Sequence, residues 1–395
     1  MYSEQKDLTI ESEEISGTVL GEFTAEFDPV EQAIRKISDG EMVIVVDDDE
    51  REGEGDLILA ASKAKAEQVA FMIRHTSGIL CVPMLAERAR ALRLDPMVVH
   101  NDAPLSTAFT VSADYKIGLT TGISAKERAS TVRALADKNV SASDFVRPGH
   151  IFPLIAKEGG VLVRSGHTEA ATDLARLADL PPVGLIAELV NDDGTVKRKP
   201  ELLAFARKHD LTIISINDLI AYRQLREQSI QRIGEACIST DIGQARVFSY
   251  GTPFDAVQHF ALVFGDMAAP GPVVVRIHRE HVVNDVFGIH DEQYPLGISV
   301  ALRHIKQAGR GVLIYLREGS AGVEVRATTD QANRQGCLAN ETERKRQEQW
   351  RQIGIGAQIL RDLGVSRIKL LAMRRVHYVG LAGFGITIDG TELIR

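Results

Sequence analysis

The chain has 395 residues, a formal net charge of −8 at pH 7, and 44% hydrophobic and 25% charged residues. This length predicts two or three domains, and the acidic balance argues against a nucleic-acid partner, which would require a basic face. No apolar run reaches the length of a membrane span, and three widely separated cysteines, Cys81, Cys237 and Cys337, do not suggest a disulfide framework. We therefore expect a globular protein of the reducing cytoplasm.

The first predicted elements lead into an acidic segment. Residues 1–27 are acidic and weakly periodic, which predicts a flexible tail. The segment "DPVEQAIRKISDG" predicts a helix that Asp28 caps and Gly40 ends, and "EMVIVVDD" predicts a short buried strand. The acidic segment "DDDEREGEGD", residues 47–56, begins where this strand ends, and such loops commonly carry function.

An acidic run is ordinarily a solvated surface, but this one has a further pattern. Glu52, Glu54 and Asp56 alternate with glycines, so in an extended chain their carboxylates point to one side. Carboxylates aimed at one place repel one another unless a cation neutralises them, and carboxylate oxygens are ligands that Mg²⁺ prefers. The segment therefore indicates a loop that binds a divalent metal ion and a substrate, with Arg51 beside it.

Three later segments offer groups that bind phosphate or transfer protons. In "RSGHTEA", Arg164 and His167 lie between a predicted strand and a predicted helix capped by Thr168, and a helix N-terminus attracts phosphate. In "RPGHIFPL" two prolines hold His150 in place, although a lone histidine is more often structural. The segment "GLTTGISAKERAST" offers hydroxyls and a glycine suited to a phosphate, or alternatively an ordinary helix cap.

The remaining pattern divides the chain in two. The segments "GLIAELV", "ELLAFARKHD" and "TIISINDLIAYR" continue the alternation of strands and helices, and a polar segment near residues 222–234 predicts a domain boundary. Beyond it, strands such as "PVVVRIH" alternate with helices such as "GISVALRHIKQAG", which is an α/β pattern. We predict an α+β domain over residues 28–228 and an α/β domain over residues 235–395.

In this order the segments of the first half resemble one family, the 3,4-dihydroxy-2-butanone 4-phosphate synthases of riboflavin biosynthesis. The resemblance rests on "DDDEREGEGDLI", "IRHTSGILCVPM", "TAFTV", "GLTTGISAKERAST", "RPGHIFPL", "GGVLVRSGHTEAATDLARLA" and "NDDGT". It implies conversion of ribulose 5-phosphate to the four-carbon product and formate, with Mg²⁺ or Mn²⁺ at the site, two ions per site. It also implies a homodimer with active sites near the subunit interface.

The resemblance assigns roles to individual residues. The metal ligands of the family fall on Glu52 and His167. Its substrate-binding positions fall on Arg51, Glu52, Asp56, Thr121, Arg164, Ser165, Gly166, His167, Thr168 and Glu188. The candidates for proton transfer are His150, Glu188, Asp56 and Glu54, and Cys81 also matches an active-site position. Two positions depart from the family: Gly53, where it usually has asparagine, and Thr76, where it commonly has glycine.

The second half resembles GTP cyclohydrolase II, through "VVVRIHREHVVNDVFG", "ALRHIKQAGRGVLIYLRE" and "IGIGAQILRDLGVSRIKLLA". The three zinc-binding cysteines of that family fall on His281, Glu292 and Tyr294, which would be a poor replacement for three thiolates. From this we expect no zinc and a degenerate second domain that is not catalytic. The alternatives are a bifunctional enzyme that also opens GTP, and a regulatory or binding protein in which both halves are inactive.

Overall fold

The structure is a computed structural model that describes residues 27–47, 53–103, 105–227, 230–253, 257–287, 298–317, 354–372, 381 and 384–393. The helices of the first half are α1 (Val30–Asp39), α2 (Ala66–His75), α3 (Ala86–Ala91), α4 (Ala125–Ala136), α5 (His167–Leu177), α6 (Lys199–His209) and α7 (Ile216–Arg226). Its strands are β1 (Val43–Val46), β2 (Gly55–Ala60), β3 (Cys81–Leu85), β4 (Ala113–Tyr115), β5 (Phe145–Ala156), β6 (Gly184–Glu188) and β7 (Thr212–Ser215).

The strands of the first half form one mixed sheet in the order β4-β5-β3-β6-β2-β1-β7. Strand β1 runs parallel to β7 and antiparallel to β2, and β3 runs parallel to β5 and antiparallel to β6. Successive strand residues point to opposite faces, so Ile44 packs in the cluster that contains Met72 of α2, whereas Val45 packs with Ile37 of α1 and Leu174 of α5. Helices therefore cover both faces of this sheet.

A second mixed sheet holds the strands of the second half. These are β8 (Gln231–Thr240), β9 (Gly243–Gly251), β10 (Gln258–Phe264), β11 (Val273–Arg279), β12 (Gly311–Leu316), β13 (Arg367–Ala372) and β14 (Thr387–Leu393), in the order β14-β13-β11-β12-β10-β9-β8. The helices of this half are α8 (Val282–Phe287), α9 (Ile298–Ala308) and α10, residues 354–362. Each half thus combines strands with helices, as the sequence predicted, and both sheets are mixed.

Two predicted helix caps differ from the structure. Helix α1 begins at Val30 with Pro29 in the capping position, because the Asp28 carboxylate instead accepts a hydrogen bond from the backbone N–H of Ile213 at 2.9 Å. Helix α5 begins at His167, and no side chain caps it. No helix in the described part of the chain is long and apolar enough to cross a membrane.

Candidate active site

Several of the predicted site residues that the structure describes lie at one end of the sheet of the first half. Asp56 lies directly opposite Glu188 in the antiparallel pair of β2 and β6, so both side chains project from the same face. Cys81 begins β3 opposite Ile186, two residues before Glu188, which places its thiol on that face as well. Leu174 of α5 packs in the same buried cluster as Cys81 and Ile186. The sheet end and the start of α5 therefore enclose one site.

The carboxylates of this site lie close together and would be stabilised by a nearby positive charge. Asp56 is buried, and its Oδ1 lies 3.9 Å from Nδ1 of His167. Glu188 Oε2 accepts a hydrogen bond from Ser77 Oγ at 2.7 Å. Residues directly opposite in such a pair have Cβ atoms roughly 5 Å apart, and like charges at that distance repel. Burial, together with the carboxylates of Glu188 and Asp56, raises the pKa of the Cys81 thiol.

The start of α5 presents an anion-binding arrangement. Because no side chain caps this helix, its N-terminus retains the partial positive charge that attracts phosphate. Ser165 is 7% exposed, and its buried Oγ has no hydrogen-bond partner among the described residues. Arg164 Nη1 donates to Glu169 Oε2 at 2.6 Å, and a Cβ on Gly166 would lie 2.5 Å from that nitrogen. The Arg164 guanidinium therefore lies directly against the backbone at the helix start, and a larger residue at position 166 would displace it.

The acidic segment is fixed at both of its described ends. The N–H of Asp47 donates to the carbonyl of Glu54 at 3.1 Å, and Asp47 Oδ1 accepts from the N–H of Glu54 at 2.9 Å. Gly53 has a φ of +63°, a left-handed conformation that glycine and asparagine tolerate best. The replacement of the family's asparagine by Gly53 therefore keeps the backbone conformation accessible. Arg51 and Glu52 lie outside the described residues.

His150 lies on β5 at the same end of the sheet. Phe152 pairs with Cys81 across β5 and β3, and His150 precedes Phe152 by two residues on β5. The His150 side chain is 41% exposed, and its Nδ1 is 2.6 Å from Oδ2 of Asp114. Strand β3 separates β5 from β6, which places the backbones of His150 and Glu188 about 10 Å apart.

Thr121 belongs to a loop that Glu127 organises before α4. The Glu127 carboxylate accepts hydrogen bonds from the N–H of Thr120 at 2.5 Å and from the hydroxyls of Thr120 and Ser124 at 2.8 and 2.7 Å. Ser124 caps α4 by accepting from the N–H of Glu127. Thr121 is exposed. The interpretation as a helix cap is thus confirmed by Ser124, whereas phosphate binding by this segment stays a prediction.

We expect Glu127 to stabilise this loop in a pH-dependent way. The backbone N–H of Thr120, followed by the hydroxyls of Ser124 and Thr120, lowers the pKa of Glu127 from 4.5 to about 2. A carboxyl group with a lowered folded-state pKa contributes stability above its unfolded pKa and loses it as the pH falls through the folded value. The difference in melting temperature between wild type and Glu127→Gln should therefore shrink between pH 4.5 and about 2. Circular dichroism melts measure it, Glu158→Gln gives the background, and an unchanged difference would contradict the expectation.

Three residues of the site were not predicted from the sequence. They are Ser77, Asp114 and Glu169, which hold Glu188, His150 and Arg164. A signal existed for Asp114, because an acidic residue inside the short strand segment "SADY" must find a partner when it is buried. Ser77 and Glu169 make contacts that no local pattern indicates.

The donor set fits a hard divalent cation in part. Mg²⁺ is commonly held by one or two carboxylates, with substrate and water filling its other positions. Asp56 and Glu188 supply oxygen donors on one face, and His167 is adjacent to Asp56. Within the described ranges, no three His, Cys, Asp or Glu side chains converge into a complete metal site. A metal at this position would therefore need further oxygen ligands.

These features suit an enzyme that acts on a small molecule. The sequence model of the 3,4-dihydroxy-2-butanone 4-phosphate synthase family matches residues 31–222, and that of GTP cyclohydrolase II matches residues 231–393. The chain belongs to the family of riboflavin biosynthesis proteins in which a 3,4-dihydroxy-2-butanone 4-phosphate synthase domain precedes a GTP cyclohydrolase II domain. Its first half is a 3,4-dihydroxy-2-butanone 4-phosphate synthase, as the resemblance predicted.

Relatives match most of the chain. The riboflavin biosynthesis protein RibBA of Nocardia farcinica is 46% identical over 92% of this chain and 89% of its own length. The bifunctional riboflavin biosynthesis protein RIBA 1, chloroplastic, of Arabidopsis thaliana is 44% identical over 93% of this chain and 69% of its own length. The crystal structure of RibBX, a two domain 3,4-dihydroxy-2-butanone 4-phosphate synthase from A. baumannii, has 36% identity and a TM-score of 0.75, and covers 93% of this chain and 99% of that one.

These relatives contradict the prediction that the second half is degenerate and not catalytic. A relative named bifunctional is 44% identical over both halves, and the cyclohydrolase model matches the whole second half. The prediction relied on three missing cysteines, but Zn²⁺ also accepts histidine nitrogen and carboxylate oxygen. Of the three positions, the described chain includes His281, whose backbone N–H donates to Asp285 Oδ2 at 2.9 Å. Glu292 and Tyr294 lie outside the described residues.

Proposed function

We propose that this chain converts ribulose 5-phosphate to 3,4-dihydroxy-2-butanone 4-phosphate and formate with the help of Mg²⁺ or Mn²⁺. The observation that carries the proposal is that three groups lie close together. The buried Asp56 is paired with Glu188, and Asp56 Oδ1 is 3.9 Å from Nδ1 of His167 at the uncapped start of α5. Carboxylates and a histidine serve metal binding and proton transfer, and the helix start serves the phosphate. A phosphorylated sugar that must enolise needs all three of these functions.

The phosphate would be bound where α5 begins. The helix N-terminus, the Ser165 hydroxyl and the Thr168 hydroxyl supply donors, and Arg164 supplies positive charge. Glu169 holds Arg164 in place from its buried position. This arrangement of donors and carboxylates fits a substrate whose phosphate lies at the helix start and whose sugar chain extends toward Asp56.

The metal would be held by Glu52 and His167, with Asp56 and Glu188 beside it. A divalent cation bound there supplies Lewis-acid polarisation of a carbonyl and stabilises an enediolate. The chain's own groups then move the protons. Asp56 and Glu188 lie on the same face of the sheet and can take protons from neighbouring hydroxyls. We assign His150 and Glu54 to proton transfer as well, and a second ion of the same kind to the site.

The remaining assignments concern the organisation of the whole protein. We propose an α+β synthase domain over residues 28–228 and an α/β domain over residues 235–395, in a homodimer that acts in the cytoplasm on a small molecule. The two family matches support the division, because one ends at residue 222 and the next begins at residue 231. Strand β8 also begins at Gln231.

Formate release tests the synthase activity and its metal dependence. The purified full chain should release formate from ribulose 5-phosphate with Mg²⁺ or Mn²⁺, and EDTA should reduce the rate by at least about 100-fold, since Lewis-acid stabilisation of this kind contributes several kcal/mol. Formate is measured with a coupled dehydrogenase, and the four-carbon product by mass spectrometry. Adding excess Mg²⁺ after EDTA should restore the rate. Metal-independent release, or no release from the folded chain, would contradict the proposal.

A second activity, the opening of GTP with release of formate, is favoured by the names and coverage of the relatives. We propose it for the second half, with His281 as one ligand of the metal. The same assay with GTP and Zn²⁺ tests it, together with the zinc content of the purified chain. His281→Ala is the control, because formate that persists unchanged in this variant comes from a contaminant. A zinc-free chain that releases no formate from GTP would refute this activity.

A further inference from the structure

A buried aspartate contacts the candidate catalytic histidine at two points. Asp114 Oδ2 lies 2.6 Å from Nδ1 of His150, and Asp114 Oδ1 accepts a hydrogen bond from the backbone N–H of His150 at 2.9 Å. The Asp114 side chain is 3% exposed, whereas that of His150 is 41% exposed. The ring is therefore held from the inside through Nδ1, and Nε2 is its remaining nitrogen for a substrate.

The backbone at Gly122 and Gly149 lies very close to the Asp114–His150 pair. A Cβ on Gly122 would overlap Oδ2 of Asp114 and would lie 2.7 Å from Nδ1 of His150. A Cβ on Gly149 would overlap the backbone of Ala113. Two glycines thus allow the Gly122 loop and strand β5 to approach the pair more closely than any other residue would permit. The hydrogen bond between the two side chains is consequently shielded on its inner side.

A buried cation balances the charge of the aspartate. Arg128 of α4 is 8% exposed, and the charge of Asp114 acts on its guanidinium, opposing the lowering of the Arg128 pKa by burial. A carboxylate is tolerated in such a place only with compensation of this kind. Arg128 thus supplies positive charge on the inner side of Asp114, whose carboxylate faces Nδ1 of His150.

We propose that Asp114 is a positioning residue of the synthase reaction, which acts by accepting the Nδ1–H of His150. This inference rests on the proposed synthase function. The hydrogen bond fixes the tautomer in which Nε2 is unprotonated and can take a proton from a substrate hydroxyl. After the transfer the ring carries protons on both nitrogens, and the Asp114 carboxylate stabilises the imidazolium. Returning that proton to the rearranged product restores the starting state.

The substitution Asp114→Asn tests the proposal, because an amide can turn either its oxygen or its nitrogen toward Nδ1 and no longer fixes the tautomer. We expect kcat to fall about 100-fold or more, the lower range of general acid–base effects, and KM to change less than about threefold. Asp114→Glu, which keeps the carboxylate, should recover part of the loss. ¹⁵N NMR of histidine-labelled protein should show the Nδ1–H tautomer of His150 in the wild type and a mixture in Asp114→Asn.

Two controls separate positioning from a general effect on folding. Asp285→Asn disrupts a similar buried pair in the second half, where Asp285 Oδ1 lies 2.9 Å from Nε2 of His278, and should leave synthase turnover unchanged. In a His150→Ala background, Asp114→Asn should cost nothing further, since double-mutant cycles isolate the shared interaction. A merely structural aspartate would reduce turnover equally in both backgrounds.

The outcomes are distinct. Wild-type kcat in folded Asp114→Asn, an equal loss in the His150→Ala background, or the Nε2–H tautomer in the wild type would each overturn the role of Asp114. If Asp114→Asn does not fold, the tautomer of His150 in the wild type and the turnover of Asp114→Glu still test the role of Asp114. If the wild type releases no formate although His150 shows the Nδ1–H tautomer, the proposed function fails and the contact itself stands.

Discussion

Replacing His167 by alanine is expected to lower formate release from ribulose 5-phosphate by at least about 1,000-fold, because the change removes a proposed ligand of the metal ion that would polarise the substrate. His167 is buried at the first position of α5, with its Nδ1 3.9 Å from Asp56. Helix α5 packs against the sheet through Ala170, Ala171 and Leu174, which holds the start of the helix in place. The measurement is kcat for the full chain at saturating Mg²⁺.

The affinity for a metal ion tests the proposed role of His167 as a ligand independently of turnover. The affinity for Mn²⁺, measured by electron paramagnetic resonance, should fall about 10- to 100-fold in His167→Ala if the ring is a ligand. His209→Ala is the matched control, since His209 packs against Phe71 and Phe205 at the end of α6 and lies among no proposed site residues. Activity within a factor of two of the wild type in His167→Ala would remove this residue from the site.

The sequence could predict the elements of this site but not its assembly. The alternation of glycines and acids and the helix that begins at His167 are local features: strand β2 begins at Gly55, although Gly53 before it is left-handed rather than extended. The strand predicted before His167 was wrong, because Gly160–Leu162 form a short 3₁₀ helix. The pairing of Asp56 with Glu188 is a long-range register that no periodicity specifies. The family resemblance placed both residues in one site, whereas physical reasoning from the sequence alone would have left them apart.

Two failures have definite physical causes. Thr168 was predicted to cap α5, but the capping position lies two residues earlier, at Gly166, which takes the extended capping conformation without contributing a side chain. Asp114 and His150 are 36 residues apart, and their contact depends on the pairing of β4 with β5, which includes an irregularity between Ala113 and Asp114. Irregular pairings of this kind shift which side chains face one another, and a sequence pattern does not locate them.

The stability of the loop before α5 depends on a fully buried arginine of α7. Arg223 Nη1 donates to Asp173 Oδ2 and to the carbonyl of Gly159, both at 2.7 Å, and its Nε donates to Glu227 at 2.8 Å. Asp173 lies on α5 and also accepts from the N–H of Val161 at 2.8 Å. The network therefore ties α7 to α5 and to residues 159–161, the segment that leads to the anion-binding loop.

Arg223→Ala is expected to lower the free energy of unfolding by about 3–5 kcal/mol, because it removes the nearer cationic partner of the buried Asp173 and leaves only Arg176, whose Nη2 is 3.5 Å from Asp173 Oδ1. The matched control is Arg226→Ala on the same helix: the Arg226 side chain is 60% exposed in its ion pair with Glu31, and such pairs contribute at most about 1 kcal/mol. Urea unfolding followed by circular dichroism measures both, and hydrogen exchange in α5 localises the effect. A loss no larger than that of Arg226→Ala would show that the network does not stabilise the fold.

The pH dependence of the stability lost in Arg223→Ala provides an independent check of this network. Burial raises the pKa of Asp173 and the charge of Arg223 opposes this, so the pKa must rise further in Arg223→Ala. An acid with a folded-state pKa above its unfolded value destabilises the fold increasingly as the pH rises through that interval. The stability deficit of Arg223→Ala should therefore be larger at pH 8 than at pH 5. The double variant Arg223→Met with Asp173→Asn should remove this pH dependence, because no buried charge is left, and should regain part of the lost stability.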